Sequence, residues 1–195
     1  MNLLRRDNLH HTYADYLTWS RDYGDELVDG VAYVREPPAP SRIHQEVVGE
    51  LYRQVAAALD GKSSRAYVAP IDVRLPKSGE ADDNVDTLVQ PDVVIVCDRR
   101  KLDERGICGV PDWVAEVLSP STASHDQIVK LAAYERAGVP EVWLIHPTDR
   151  TLAIYRIEAG RFARANVVEL KGQTSVTALS DVTVDWDRLL ANLAW

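Results

Sequence analysis

The segment Trp113-Val114-Ala115-Glu116-Val117-Leu118 is an apolar run that contains a single carboxylate. Short apolar runs bounded by turn residues are typical of strands buried in a sheet. A carboxylate buried there without a partner would cost several kcal/mol, so a metal ion or a basic side chain has to compensate Glu116. The segment therefore predicts a central strand and a charged site in the same place.

A second carboxylate, Asp92, stands at the start of another apolar run, Gln90-Pro91-Asp92-Val93-Val94-Ile95-Val96. Because side chains alternate along a strand, Asp92 shares a face with Val94. By the same rule Glu116 shares a face with Val114. If the two strands are neighbours, both carboxylates can bind one cation. Two simpler interpretations stay open: Asp92 as a turn residue after proline, and Glu116 as the partner of an arginine.

Lys130 lies in a segment, residues 124–137, whose pattern predicts a helix that ends at Gly138. Asp126, Lys130 and Tyr134 are spaced four residues apart and share one face of that helix. Periodicity alone favours a surface ion pair between Asp126 and Lys130, worth a few tenths of a kcal/mol. A place for Lys130 beside the two strand carboxylates is the alternative.

The remaining patterns predict the order of secondary structure. Asp29-Gly30 between two apolar runs predicts a hairpin over residues 26–34, because both turn positions need positive φ. Helices are predicted for residues 13–20, 41–59, 124–137 and 186–193; strands for residues 66–75, 88–97, 113–118, 141–146, 151–157 and 162–170; and loops for residues 76–87 and 98–109. This order indicates an α/β or α+β fold: a mixed central sheet flanked by helices, with an added N-terminal hairpin and C-terminal strands. Residues 1–195 are expected to form one domain.

Composition and charge narrow the functional classes. With 46% hydrophobic and 27% charged residues, the chain is expected to form a packed core. It has no apolar run of about 18 residues to span a membrane, and residues 1–11 lack a signal-peptide core, so a cytoplasmic protein is expected. Cys97 and Cys108 lack zinc-ligand spacing and are interpreted as buried, inert thiols. A net charge of −8 counts against a broad basic surface for nucleic acid.

Short motifs occur in a characteristic order and spacing along the chain. They are Glu26-Leu27-Val28-Asp29-Gly30, Pro40-Ser41-Arg42-Ile43-His44, Gln90-Pro91-Asp92-Val93-Val94, Glu116-Val117-Leu118-Ser119-Pro120-Ser121-Thr122, Asp126…Lys130…Tyr134 and Gly138-Val139-Pro140-Glu141-Val142-Trp143. Together, over about residues 10–160, they resemble the bacterial Uma-type restriction endonuclease family of the PD-(D/E)xK nuclease superfamily. The resemblance implies the restriction-endonuclease-like fold and metal-dependent hydrolysis of phosphodiester bonds.

The resemblance also assigns roles to individual residues. It implies that Asp92 and Glu116 bind Mg²⁺ or Mn²⁺, together with the backbone carbonyl of Val117. The superfamily motif has a lysine two positions after the second acid, where this chain has Leu118. In this family the lysine is displaced to the next helix, and Lys130 matches that position.

Glu26, His44 and Asp126 are candidate accessory residues, of which Asp126 is placed to orient Lys130. The implied substrate is DNA, and a homodimer is expected because cutting both strands of a duplex usually needs two sites. The alternative is a catalytically inactive nuclease fold that binds DNA or self-associates. The acidic net charge favours this alternative, and the presence of all three core residues opposes it.

Overall fold

The computed structural model describes residues 4–19, 25–34, 41–120 and 122–193. Its α-helices are α1 (Tyr13–Tyr16), α2 (Arg42–Ala58), α3 (Leu131–Ala137) and α4 (Trp186–Leu193), and a π-helical segment, His125–Lys130, leads into α3. Its strands are β1 (Leu4–Arg5), β2 (Glu26–Val28), β3 (Val31–Val34), β4 (Arg65–Val68), β5 (Val73–Arg74), β6 (Leu88–Val89), β7 (Val93–Val96), β8 (Leu102–Asp103), β9 (Gly106–Cys108), β10 (Trp113–Val117), β11 (Glu141–His146), β12 (Thr151–Glu158), β13 (Arg161–Phe162), β14 (Asn166–Glu169), β15 (Gln173–Val176) and β16 (Leu179–Asp185). Within these ranges no helix is long and apolar enough to cross a membrane.

The central sheet is mixed, as the sequence predicts. Its strand order is β13-β12-β11-β10-β7-β4, and β14 also pairs with β12. Strand β10 runs parallel to β11 and antiparallel to β7, with Val114 opposite Val94 and Ala115 opposite Val93. The next step of this register brings Glu116 towards Asp92. The two strands that carry the predicted acids are therefore neighbours.

Two predicted strands are each divided between two sheets, which corrects the sequence-based assignment. Residues 66–75 contribute to β4 and β5, and residues 88–97 contribute to β6 and β7. Strands β5 and β6 belong to a second sheet of order β1-β3-β2-β6-β5-β9-β8. Pro70 and Pro91 lie at the two breaks, and proline has no N–H with which to continue a ladder. The break at Pro91 places Asp92 at the point where the chain enters the central sheet.

The predicted loops are more structured than their polar composition indicates. Residues 76–87 contain a 3-10 turn, Asp82–Asn84, and residues 98–109 contain a second, Arg99–Lys101, together with β8 and β9. The buried guanidinium of Arg74 binds Asp82 and Asp103, one from each segment, at 2.6 and 2.5 Å. This non-local contact ties both segments to the second sheet.

The central sheet is covered on both faces. Trp113, Ala115 and Val117 of β10 pack with residues of α2, α4 and β16. Val114 and Leu118 point the other way and pack with residues of the second sheet and α3. Because Glu116 is two residues from Val114 in the same strand, it lies on the same face as Val114, which α3 covers. The fold is a mixed α/β arrangement, and it presents the acid of β10 to the helix that carries Lys130.

Several local predictions are confirmed. Asp29 and Gly30 have φ values of 50° and 76° and form the turn between β2 and β3. Ser41 caps α2 by accepting a hydrogen bond from the backbone N–H of His44 at 3.2 Å. Gly138 ends α3 in the left-handed conformation with φ 82°, and the last helix begins at Trp186. The predicted helix from Tyr13 ends at Tyr16, and residue 20 lies outside the described residues.

The substitutions Gly138→Ala and Gly49→Ala should change stability in opposite directions. A Cβ atom at either position meets open space, so neither substitution creates a clash. At Gly138 the left-handed backbone should cost about 1 kcal/mol with alanine. At Gly49, inside α2, alanine should stabilise the fold by about 0.5–1 kcal/mol because it restricts the unfolded chain. Urea unfolding of both variants measures the difference, and shifts of the same sign would contradict it.

Candidate active site

The ammonium group of Lys130 lies at the centre of a buried cluster of carboxylates. Its Nζ is 2.7 Å from Oε1 of Glu116, 3.2 Å from Oε1 of Glu26 and 3.6 Å from Oδ1 of Asp126. It also donates to the backbone carbonyl of Gln90 at 3.3 Å. Lys130 is 1% exposed, so the predicted surface position is wrong, although the ion pair with Asp126 is present.

The π-helical segment explains why His125 and Lys130 are buried together. In a π-helix the hydrogen bond spans five residues instead of four, so each turn contains an additional residue. In an α-helix, side chains five positions apart would point about 140° apart. Here His125, Asp126 and Lys130 are all buried on one side, whereas the apolar side chain of Ile128 is 69% exposed. The polar face of this segment is therefore the one that faces the protein interior.

Glu116 bridges β10 to the helix and to Asp92. Its Oε1 accepts a hydrogen bond from the hydroxyl of Tyr134 at 2.6 Å as well as the contact from Lys130. Its Oε2 receives the backbone N–H of Asp92 at a long 3.4 Å. Burial raises the pKa of Glu116 to about 8; Lys130 opposes this rise, and the surrounding carboxylates reinforce it. Near neutral pH and without a metal, this carboxyl group tends to retain its proton.

Asp92 is held by the backbone of β10 and contacts the first turn of α2. Its Oδ2 accepts the N–H of Val117 at 2.7 Å and lies 3.2 Å from Nε2 of His44. The other ring nitrogen of His44, Nδ1, is buried and has no hydrogen-bond partner among the described residues. His44 therefore faces the candidate site rather than the apolar core. The contact to Val117 fixes the orientation of the Asp92 carboxylate.

Glu26 joins the N-terminal hairpin to the cluster. Its Oε1 accepts the backbone N–H of Gln90 at 2.7 Å, and its Oε2 lies 2.7 Å from Nε2 of His125. The ring of His125 packs against Tyr33 of the same hairpin, with centroids 4.6 Å apart. Burial alone would raise the pKa of Glu26, but Lys130 and His125 lower it to about 2. Glu26 is therefore an ionised partner of Lys130.

The structure brings the sequence-predicted acids together around Lys130 and adds residues that the sequence does not identify. The added contacts come from His125 to Glu26, from the hydroxyl of Tyr134 to Glu116, and from the backbone of Gln90. No periodic signal connects His125 with Lys130, because a spacing of five residues does not align side chains in an α-helix. Tyr134 is the exception, since the four-residue spacing from Lys130 already places it on the same face.

The donor chemistry of the cluster suits a hard cation, but the ligands are not arranged around one. The carboxylates of Glu26, Glu116 and Asp126 surround the ammonium of Lys130, and a fourth, Asp92, lies next to Glu116. Oxygen donors and excess negative charge are what Mg²⁺ prefers. In the described part of the chain, however, no group of three or more His, Cys, Asp or Glu residues has the geometry to hold a metal ion. Lys130 contacts Oε1 of Glu116, whereas Oε2 accepts the long contact of 3.4 Å from the N–H of Asp92.

The cysteines take no part in this site. Cys97 and Cys108 are free and only partly buried, which corrects the expectation of fully buried thiols. Cys97 accepts a hydrogen bond from the hydroxyl of Ser64, and Cys108 lies 3.7 Å from Oδ1 of Asp82. Partial burial raises the pKa of both thiols, which reduces their thiolate fraction.

Substitution of Glu116 by Gln should flatten the pH dependence of stability of the metal-free protein between about pH 5 and pH 8. The pKa of Glu116 is about 8 in the folded protein, compared with its ordinary value of 4.5 in the unfolded chain. Between these values the folded state binds a proton that the unfolded chain releases. That contribution to stability is complete below pH 4.5 and is lost as pH rises through 8. Gln mimics the protonated carboxyl group and cannot titrate.

Urea unfolding in EDTA across this pH range measures the effect, with Glu26→Gln as the control. The pKa of Glu26 is lowered to about 2, so its contribution is constant above about pH 5 and is lost only as pH falls towards 2. Glu26→Gln should therefore reduce stability without changing the slope above pH 5. The same slope in wild type and Glu116→Gln would contradict the raised pKa.

The fold of this chain is similar to that of a solved structure, and its sequence matches the model of a protein family. The crystal structure of "a putative nuclease belonging to DUF820" from Anabaena variabilis superposes with a TM-score of 0.70 and 19% identity. The match covers 92% of this chain and 97% of that chain, and it shows a shared fold. No curated protein sequence matches the chain significantly.

A family model matches residues 13–190 and so extends beyond residue 160, where the region of the motifs, about residues 10–160, ends. The model is that of Uma2, described as "Putative restriction endonuclease". Because the match spans most of the sequence, the chain belongs to the Uma2 family.

Proposed function

We propose that the protein is a metal-dependent endonuclease that hydrolyses phosphodiester bonds of DNA, with Asp92, Glu116 and Lys130 at its active site. The observation that carries the proposal is the buried contact of 2.7 Å between Lys130 and Glu116, next to Asp92 on the adjacent strand. Buried acids around a lysine are costly to maintain, and such arrangements are concentrated at functional sites. The family and the fold of the Anabaena protein point to the same chemistry.

The carboxylates of Asp92 and Glu116, with the backbone carbonyl of Val117, would hold Mg²⁺ or Mn²⁺. The chemistry that such an ion supplies when bound is polarisation of a phosphate and a lower pKa of bound water. The chain itself contributes orientation, because the N–H of Val117 fixes Asp92 and the hydroxyl of Tyr134 fixes Glu116. Both acids are thereby held in place beside each other, one in β10 and the other just before the neighbouring strand β7.

Lys130 would stabilise the negative charge that develops on the phosphate oxygens, or position the attacking water. Glu26 and Asp126 keep its ammonium charged and directed at the strand acids, which the raised pKa of Lys130 reflects. Burial opposes this rise, and the surrounding carboxylates outweigh it. His125 holds the second oxygen of Glu26, so the hairpin and the π-helical segment together position the lysine.

The charge balance of the cluster supports a cation at this site. Three carboxylates contact one ammonium group and Asp92 lies beside Glu116; burial, reinforced by the neighbouring carboxylates, raises the pKa of both Glu116 and Asp126. A divalent cation beside Asp92 and Glu116 would offset this negative charge and would lower the pKa of Glu116.

Glu116→Gln should abolish metal-dependent cleavage. A plasmid and a duplex oligonucleotide, each incubated with Mg²⁺ or Mn²⁺ and with EDTA as a blank, measure the activity. We expect the wild type to cut only with metal, and the variant to lose at least about 100-fold in rate, because a ligand of the ion and the anchor of Lys130 are altered together. Unchanged metal-dependent cleavage by Glu116→Gln would contradict the assignment.

Lys130→Met tests the lysine, and Lys171→Met is its matched control. Lys171 is exposed and follows β14, which pairs with β12 on the side of the central sheet away from β7, so its loss should leave cleavage unchanged. Removing Lys130 leaves buried carboxylates without their cation, which costs about 3–5 kcal/mol. Circular dichroism therefore has to show a folded Lys130→Met protein before its loss of cleavage is assigned to chemistry.

The second candidate function is a catalytically inactive nuclease fold that binds DNA or self-associates. Two observations favour it: the net charge of −8, and the absence of a preformed metal-ligand group among the described residues. Calorimetric titration with Mg²⁺ and Mn²⁺ separates the two functions. A nuclease should show a metal site that is lost in Asp92→Asn, a variant that keeps an oxygen acceptor for the N–H of Val117. An inert fold should give no heat that depends on Asp92.

We also propose that the chain forms one domain that acts as a homodimer, because cleavage of both strands of a duplex usually needs two active sites. Sedimentation at micromolar concentration distinguishes a dimer from a monomer. A cytoplasmic location agrees with a DNA substrate and remains part of the same proposal.

A further inference from the structure

A cavity of about 470 Å³ lies away from the candidate active site, between the edge strand β4 and the chain from β7 to β8. We call it the arginine pocket, after Arg65 and Arg99 in its lining; Tyr67, Cys97 and Asp103 also line it. Its volume falls in the range of small-molecule sites. The candidate cluster described above does not use these residues.

The two arginines of the pocket have free hydrogen-bonding capacity. Arg65 uses one guanidinium nitrogen, Nη1, to bind the backbone carbonyls of Lys62 and Ser64, and this contact fixes the group in place. In the described ranges neither Arg65 nor Arg99 forms a salt bridge with a carboxylate. Arg100 differs, because Asp98 binds it through several hydrogen bonds of 2.7–3.1 Å.

The charge of the pocket is positive in a chain that is acidic overall. Asp103 is the carboxylate in its lining, and both of its oxygens already have partners. Its Oδ2 binds the buried guanidinium of Arg74 at 2.5 Å, and its Oδ1 accepts the backbone N–H of Arg105 at 2.8 Å. Arg65 and Arg99 are therefore left with unmatched charge in a chain of net charge −8. Planar guanidinium groups with free donors are suited to bind phosphate.

The register of the central sheet relates the pocket to the candidate active site. In the pairing of β4 with β7, Arg65 is opposite Val96 and Tyr67 is opposite Val94. These side chains lie on the sheet face that also carries Asp92. Four residues separate Asp92 from Val96, a distance of about 13 Å along a strand. The pocket therefore lies at the end of β7 opposite to Asp92.

We propose that Arg65 and Arg99 form a phosphate-binding subsite that holds the DNA backbone at a distance from the phosphodiester to be cut. The inference rests on the proposed nuclease function and deepens it. It explains how an acidic protein can bind a polyanion, since a local pair of unmatched arginines replaces a broad basic surface. The subsite positions the duplex and carries no sequence information.

The test is the salt dependence of binding, measured by fluorescence anisotropy of a labelled duplex oligonucleotide. Glu116→Gln protein in Mg²⁺ serves as the parent, so that the duplex is not consumed. Adding Arg65→Gln or Arg99→Gln should each lower the slope of log K against log salt by about 0.9. When salt rises from ~50 mM to ~200 mM, each variant should therefore lose about 3-fold less affinity than the parent loses. Arg100→Gln is the matched control and should leave the slope unchanged.

The outcomes separate this inference from the proposed function. Slopes for Arg65→Gln and Arg99→Gln equal to that of the parent overturn the subsite, as does a parent that binds no duplex. Cleavage by the wild type in the same metal decides the nuclease function independently. Arginine-dependent binding without wild-type cleavage supports the subsite and contradicts catalysis. Wild-type cleavage together with salt slopes that Arg65→Gln and Arg99→Gln leave unchanged supports catalysis and overturns the subsite.

Discussion

The candidate site depends on the burial of one ammonium group among several carboxylates. Lys130 holds together acids from separate parts of the chain: Glu26 from the hairpin, Glu116 from β10 and Asp126 from the π-helical segment. Desolvation makes such an ion cluster a poor source of stability compared with apolar packing, and removal of one partner is costly. A cluster of this kind inside an apolar core is therefore better explained by chemistry than by folding.

The interruption of the strand at Gln90-Pro91-Asp92 links the fold to this cluster. Because the ladder breaks there, the N–H of Gln90 is available to Glu26 and its carbonyl is available to Lys130. The same break lets Asp92 turn towards the N–H of Val117. Backbone groups that a continuous strand would have used for pairing instead orient the charged side chains, so one irregularity serves both the division into two sheets and the assembly of the site.

Acidic and basic side chains are also concentrated in separate regions of the molecule. Buried acids are concentrated around Lys130, and Arg74 neutralises a second set of carboxylates from Asp82 and Asp103. Unmatched positive charge is left at Arg65 of the edge strand β4 and at Arg99 of the turn after β7. A net charge of −8 therefore describes the sum of the chain and not the local potential that a substrate would meet.

The sequence by itself determined the features that depend on local periodicity. Alternation within apolar runs identified Glu116 and Asp92 as acids on buried strands, and turn and cap chemistry identified Asp29-Gly30, Ser41 and Gly138. Only the tertiary structure decided that Lys130 is buried, because helical spacing alone does not determine that the polar face is the one that meets the core. It also decided that His125 supports Glu26, 99 residues away, and that two predicted strands divide between sheets. Periodicity reports which face a side chain occupies, whereas a buried ion cluster forms only when distant segments close around it.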